Sequence, residues 1–351
     1  MMESFKLPEG FSMQNSDGSQ IPGRVVQMHR DRYVVQTSEG EYEAEITGNM
    51  RFTASGMEDF PVVGDWVVLT PYEEGFAIIH QILPRKSLLK RTAVGREGEV
   101  QVIAANIDTA FLVQSVDHNF NLNRLERYLT LVYESGIHPV VIITKTDLAD
   151  VSRLKEIEES LSARLPEIQA LYLSNVSGEG IENIKKLMEE GKTYCLLGSS
   201  GVGKSTLVNR LSGRELMETG HISGSTGKGR HVTSHRELFV LDNGALLIDN
   251  PGMREVGITN AAGGIEKTFD RIHELSSQCR YPDCTHISET GCAVILAVEG
   301  GEIEEAVYEN YLKMEKERVH FEASAYEKRK KDKAFGKIMK NYKKDIRRNL
   351  E

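Results

Sequence analysis

Two different spacings of apolar residues divide this chain. Up to about residue 90 the apolar positions fall in short β-branched or aromatic runs at 23–27, 32–37, 42–46, 65–69 and 76–80, separated by turn pairs such as Glu39-Gly40, Gly64-Asp65 and Glu74-Gly75. Such runs predict five short strands, and five short strands suggest a small barrel of the OB type, a fold that binds nucleic acid on its open face. Tyr33, Tyr42, Phe52 and Trp66 are the aromatics there that could stack on bases, although such side chains more often pack a core. From about residue 105 the period changes. Residues 109–116, 138–143, 171–173 and 194–197 read as strands, and 121–135, 153–165, 181–188 and 207–211 carry apolar residues at helical spacing. Strands alternating with helices predict a parallel sheet. Two further strands, 237–241 and 245–248, flank Asp242-Asn243-Gly244, a hairpin signal.

The chemistry is densest between the fourth of those strands and its helix, where the chain reads Gly198-Ser199-Ser200-Gly201-Val202-Gly203-Lys204-Ser205-Thr206. Glycines at 198, 201 and 203 let successive backbone N–H groups turn into one concavity, and the helix adds its own unpaired N–H groups and positive dipole end. A polyphosphate fits such a cradle. Lys204 would reach the β and γ phosphates, Ser205 would place a hydroxyl on Mg²⁺, and Thr206 would support the α phosphate.

Composition narrows the setting. A length of 351 residues predicts two or three domains, and 40% hydrophobic with 27% charged residues is the balance of a soluble globular protein. With no long apolar run and no signal pattern in residues 1–10, the expectation is a cytoplasmic protein with no membrane partner. The net charge of −9 hides an asymmetry: residues 328–348 hold 11 Lys/Arg against Asp332 and Asp345, a local +9, which leaves −18 for the remainder. A helix interrupted at Gly336 is predicted there, with Ala334, Phe335, Ile338, Met339 and Tyr342 near one stripe. It reads either as a solvated end or as an element that approaches phosphate-rich RNA.

Of four cysteines, Cys195 lies inside a predicted strand and reads as core. The other three cluster with a histidine as Cys279-x4-Cys284-x-His286-x5-Cys292, a spacing that can close a tetrahedral Cys3His site. Disulfides are the alternative, opposed by the odd number and the expected compartment. With no vacant ligand position, one structural metal ion is expected.

Base-reading signals stand ahead of the phosphate loop. Thr144-Lys145-Thr146-Asp147 is close to the Asn-Lys-x-Asp motif of GTPases, in which a carboxylate accepts both N1–H and N2–H of guanine. Ser174-Asn175-Val176-Ser177-Gly178 is placed like the Ser-Ala motif whose backbone N–H meets the guanine oxygen. Downstream, an apolar strand ends in Asp249-Asn250-Pro251-Gly252, an Asp-x-x-Gly pattern in which Asp249 would hold Mg²⁺ through water and the Gly252 N–H would sense the γ phosphate. The order is base motif, Ser motif, phosphate loop, switch, Asp-x-x-Gly, so the chain resembles a circularly permuted GTPase.

With the barrel-like N-terminus, residues 105–108, 229–233 and 248–255, it is similar to the RsgA (YjeQ/YloQ) family, bacterial GTPases of small ribosomal subunit assembly. That resemblance implies a multidomain α+β architecture: an OB-type RNA-binding barrel (1–90), a circularly permuted α/β P-loop GTPase domain (91–262), and a helical zinc-binding domain with a basic tail (263–351). It implies GTP as substrate, bound by residues 144–147, 174–175 and 198–206. It places Mg²⁺ on Ser205, Asp249 and either Thr226 or Thr233, and one Zn²⁺ on Cys279, Cys284, His286 and Cys292. The small subunit with its 16S rRNA is the implied partner, and a monomer is expected. Lys204, Ser205, Asp249 and Gly252 carry the implied chemistry. Met253 stands where a water-orienting Gln is usual, and the family's switch histidine maps to His231. Departures from the family pattern are Thr144 for Asn, which loses an amide, Asn250 for Thr, Ser199 for Gln, and Val232 within a Thr run. A P-loop ATPase or kinase, and a non-catalytic nucleotide-regulated RNA-binding scaffold, are the competing readings.

Overall fold

The computed structural model describes residues 19–29, 32–93, 99–215, 236–249, 257 and 261–348. The chain divides into two compact units, residues 1–90 with 102–256, and residues 91–101 with 257–351.

In the first unit, β1 (Ile21–Met28), β2 (Tyr33–Thr37), β3 (Glu41–Ile46), β4 (Trp66–Glu73) and β5 (Phe76–Ile82) pair in the order β1-β2-β3-β5-β4, and β4 returns to β1. The sheet is therefore closed, an OB-like barrel without free edges among these strands. Its single parallel pair, β3 with β5, sets Ala44 opposite Ala77. The crossover that a parallel pair requires runs through α1 (Gly48–Thr53), which Thr47 caps by accepting the Met50 N–H, and through β4. Alternate residues point inward, so Val25, Tyr33, Val35, Ala44, Val67, Leu69, Ala77 and Ile79 form the barrel core. Gly23 is required by this packing, since a Cβ there would lie 2.4 Å from Val35 Cγ1.

Burial corrects the stacking expectation for two of the aromatics. Tyr33 and Trp66 are buried, and the Arg24 guanidinium covers the Trp66 ring 5.1 Å from its centroid, so neither can meet a base. Phe52 on α1 is 90% exposed.

After β6 (Leu88–Thr92) and β7 (Val100–Ala105), a two-stranded sheet that the sequence pattern does not announce, the chain enters the α/β part. Its elements are β8 (Thr109–Ser115), α2 (Leu122–Glu134), β9 (His138–Thr144), α3 (Val151–Arg164), β10 (Ala170–Tyr172), α4 (Ile181–Leu187), β11 (Thr193–Leu197), α5 (Lys204–Ser212), β12 (Glu237–Val240) and β13 (Leu246–Asp249). Strand order is β10-β9-β8-β11-β13-β12, parallel except for β12, which returns antiparallel as the hairpin signal predicts. Buried on both faces, the strands split their residues by parity. Leu112, Val141, Ile143, Cys195, Leu197 and Ile248 share a core with Leu125 and Leu129 of α2 and Ile157 of α3. Phe111, Val113, Val140, Ile142, Leu196 and Leu247 pack instead with Ile184 of α4 and Leu207 and Val208 of α5. Cys195 is core, as its strand position implies.

Barrel and sheet are joined edge to edge. Gln27 of β1 pairs with Glu237 of β12, and its Nε2 donates to Glu237 Oε1 at 2.7 Å. Beside this joint Arg24 donates to Thr193 Oγ1 at 3.1 Å, and Arg85 forks onto buried Asp65 with two contacts of 2.7 Å.

The second unit is helical: α6 (Ala262–Thr268), α7 (Asp270–Ser276), α8 (Ala293–Glu299) and α9 (Glu305–Arg348). Ile265, Phe269, Ile272, Val294, Ala297 and Met314 form its core, and the Thr92 N–H donates to Gly257 O at 3.2 Å. α9 runs through Gly336 without a break, contrary to the sequence expectation. One interior glycine costs about 1 kcal/mol relative to Ala, too little to stop a helix among strong helix formers. Among the described residues no helix is long and apolar enough to cross a membrane.

Candidate nucleotide-binding site and metal centre

The sequence motifs meet because they follow the same ends of parallel strands. Residue 198 follows β11, Thr144 ends β9, Ser174 lies just past β10, and Asp249 ends β13, so the loops carrying them open at the carboxyl edge where ligands of such sheets lie. Within the phosphate loop a Cβ on Gly198 would lie 2.4 Å from Val113 O, and Gly201 and Gly203 have φ of 83° and 94°, where side chains are strained. Lys204, only 7% exposed, donates from Nζ to the carbonyls of Gly198 at 2.8 Å and Ser199 at 2.7 Å. Burial lowers its ammonium to about 8, and the negative charge of Asp249 pulls in the opposite direction. Val202 is buried in the core, whereas Ser199, Ser200, Ser205 and Thr206 are partly accessible. The Ser199 hydroxyl receives Arg124 Nη1 of α2 at 3.1 Å.

Two base-loop segments are tied to this loop. Thr144 is fully buried and its Oγ1 sits 2.6 Å from Val202 O and 3.1 Å from Gln114 O. A hydroxyl has one proton, and the shorter contact takes it to the phosphate loop. Thr144 thus keeps one of the two roles that an Asn amide could fill there. Lys145 adopts a left-handed backbone, φ 60°, and its Nζ pairs with Asp117 Oδ2 at 2.9 Å. Burial alone would raise the Asp117 carboxyl, but the Asn119 N–H, the Lys145 ammonium and the Ser115 hydroxyl outweigh it and hold the group at about 2. Asp147 is exposed and accepts a short hydrogen bond from the Ser174 hydroxyl, which itself accepts the N–H groups of Val176 and Ser177 at 3.2 Å. Asn175 donates from Nδ2 to Gly203 O at 3.1 Å, and Arg210 of α5 donates to Asn175 O at 3.0 Å. Thr146 begins a single 3₁₀ turn that carries Asp147.

Sequence reasoning did not pick out Asp117, Arg124 or Arg210. Asp117 had a usable signal, since it follows β8, whose neighbours β9 and β11 both carry motifs at the same end. Thr226, His231, Thr233 and Gly252, together with Asn250, Val232 and Met253, lie outside the described residues.

A second cluster lies in the helical unit. The ligand atoms of Cys279, Cys284, His286 and Cys292 all fall within 4.8 Å of one another. Cys279 Sγ and Cys292 Sγ are 3.8 Å apart, and His286 Nδ1 is 3.6 and 3.4 Å from them. Zinc bonds of about 2.3 Å to sulfur in a tetrahedron set sulfurs about 3.8 Å apart, so this donor set fits one zinc ion. The loop is prepared for that geometry. His286 has φ 61°, the Glu289 carboxylate accepts the N–H groups of Thr285, Ile287 and Ser288, and Cys292 caps α8.

A family model described as RsgA GTPase matches residues 82–259. The Bacteroides thetaiotaomicron protein named small ribosomal subunit biogenesis GTPase RsgA 1 is 40% identical over 325 residues, 92% of this chain and 90% of that one. The chain belongs to the RsgA GTPase family. A second RsgA, the small ribosomal subunit biogenesis GTPase RsgA 2 of Lactiplantibacillus plantarum, is 42% identical over 302 residues, 86% of this chain and 84% of its own. Among solved RsgA-type structures, YjeQ from Thermotoga maritima superposes with a TM-score of 0.61 at 30% identity, over 84% of this chain and 97% of that one. YloQ, described as a circularly permuted GTPase, shares the fold at 24% identity with a TM-score of 0.59, over 86% and 96% of the two chains. The RsgA architecture is the one seen here: a closed OB-like barrel, the permuted GTPase domain, and a Cys3His cluster compatible with zinc.

Proposed function

We propose that this chain is a Mg²⁺-dependent GTP hydrolase that acts in assembly of the small ribosomal subunit, docking on its 16S rRNA according to the nucleotide it holds. The observation that supports this reading most directly is the meeting of Asp147, Ser174 and the 198–206 loop at one edge of the sheet, with Lys204 buried beneath the loop and Asp249 at the adjacent strand end. Residues 198–206 would cradle the triphosphate, and Lys204 would exchange its bonds to Gly198 O and Ser199 O for phosphate oxygens. Asp147 would accept guanine N1–H and N2–H, Thr144, Lys145 and Thr146 would wall the base, and a backbone N–H near Ser174 and Asn175 would meet its oxygen. Ser205 and Asp249 are the hard oxygen donors a magnesium ion requires, with Thr226 or Thr233 completing the set; the ion would neutralise charge developing on the phosphates. Gly252 would sense the γ phosphate, and His231 is assigned to orienting water.

In the second unit Cys279, Cys284, His286 and Cys292 would hold one structural zinc. The basic half of α9 would contact RNA phosphates, which an acidic chain otherwise repels. A soluble, cytoplasmic monomer completes the reading.

Turnover of GTP measured with small subunits, with large subunits and with neither is the decisive test. Stimulation by small subunits alone, with ATP failing to compete, is expected; equal rates in all three, or competition by ATP, would refute it. Deleting residues 326–351 should flatten the salt dependence of small-subunit binding, each lost phosphate contact lowering the log–log slope by about 0.7 to 0.9. Unchanged slope and affinity would return the tail to a solvated end.

A further inference from the structure

The missing base-motif amide has a replacement in the other base loop. Thr144 has one hydroxyl proton, and Val202 O at 2.6 Å takes it, so residue 144 has nothing left to donate. Asn175, 7% exposed, puts its Nδ2 on Gly203 O at 3.1 Å, the very next carbonyl of the phosphate loop. Its orientation is not free. A Cβ on Gly203 would lie 2.8 Å from this Nδ2, and turning the amide over would set Oδ1 against the Gly203 carbonyl oxygen. The consequence is that Oδ1 is buried and, among the described residues, accepts no hydrogen bond. Behind it, Arg210 of the phosphate-loop helix grips the carbonyls of Asn175 at 3.0 Å and Val176 at 3.4 Å, so the whole second base loop rides on the loop and helix that follow β11.

We propose that Asn175 is a positioning residue of the guanine site, supplying the amide donor that Thr144 lacks and fixing the second base loop to the phosphate loop. The two ties share the anchoring between them. Thr144 holds the first base loop to Val202, and Asn175 holds the second to Gly203. With the second tie cut, the backbone N–H groups near Ser174 and the Ser174 hydroxyl that orients Asp147 lose their fixed distance from the phosphate cradle. Base reading and phosphate binding then uncouple. This inference rests on the guanine-site reading above.

The test is release of fluorescent GDP from the full-length protein, together with competition by GTP and ATP. Asn175→Ala should release GDP about tenfold faster and narrow the preference for GTP over ATP by a similar factor. Asn175→Asp, which keeps the volume but cannot donate to Gly203 O, should do the same. A role in packing alone would leave Asn175→Asp close to the parent in release and in base preference, because Asp fills the same space; a lowered melting temperature would mark loss of fold instead. Release and base preference unchanged in either Asn175 variant, or changes that track the melting temperature and not the loss of the donor, would overturn the proposal. Absence of any GTP preference in the parent protein would instead strike the guanine-site reading itself, and Lys204→Ala separates loss of phosphate binding from both.

Discussion

The two polar centres of this molecule are built in opposite ways. The proposed nucleotide site draws on Asp117, Thr144, Asp147, Ser174, Asn175, residues 198–206 and Asp249, side chains that sit at the ends of five different strands. The Cys3His cluster comes from 14 consecutive residues, 279–292, between two short helices. Each strand end is fixed by a core packed on both faces, so the proposed nucleotide site rests on packing that its own polar groups do not supply. The cysteine loop has few apolar residues of its own and its turns are set by Glu289, Gly291 and a left-handed His286. There the ligand set and the fold are one and the same. Removing one group from the first should cost function, while removing one from the second should cost structure.

The largest effect should follow at the cysteines. Cys284→Ser, or chelation of the metal, should abolish stoichiometric zinc and unfold most of the helical unit, because apparent binding free energies of roughly 10–16 kcal/mol in small zinc modules are also folding free energies. Metal analysis with far-ultraviolet circular dichroism reads this directly, and retained helix content without zinc would break the contrast. GTP binding by the first unit should survive.

Lys204→Ala should do the reverse, weakening GTP by about a hundredfold or more while the melting transition and zinc content stay in place. A loss of less than about tenfold, 1.4 kcal/mol, would argue against the phosphate-loop reading.

Asp147→Asn should lower GTP affinity by about tenfold, since an amide cannot accept from two guanine donors, and should improve binding of xanthosine triphosphate, whose C2 oxygen accepts. Unaltered guanine-over-xanthine preference in titration calorimetry would remove Asp147 from the site.

The smallest effect concerns pH. Burial holds the free Lys204 ammonium at about 8, and phosphate charge favours its protonated form, so binding should take up a proton. Affinity is then full well below pH 8 and falls as pH rises through it, declining severalfold between pH 7 and 9. A flat profile over that range, or no dependence of the binding heat on buffer ionisation, would contradict this.

Much of this was readable in advance because the signals are periodic or local. The strands of the α/β part announce themselves as continuous apolar runs and its helices in a spacing near 3.6, and the phosphate loop and cysteine cluster are contiguous motifs. What escaped depends on partners distant in the chain. Nothing around residue 117 says that a lysine 28 positions on will pair with it. The parallel pairing of β3 with β5 is set by closure of the barrel, and the association of residues 91–101 with the helical unit rests on contacts such as Thr92 with Gly257. Tyr33 and Trp66 were ambiguous because an aromatic run does not show what covers it: Tyr33 points into the closed barrel, whereas Trp66, on the opposite parity to Val67 and Leu69, is covered by Arg24 and packs with Leu83.

The length of α9 changes what its charges mean. At about 1.5 Å per residue, 44 helical residues reach roughly 66 Å, and the basic stretch that begins at Lys328 starts roughly 35 Å from the helix's own beginning. At physiological ionic strength the field of an exposed charge decays over about 8 Å, so charges several times that far apart along the helix are largely screened from one another. A polyanion brought to the far half of this helix would therefore respond to the local +9 of residues 328–348 and not to the chain's average of −9.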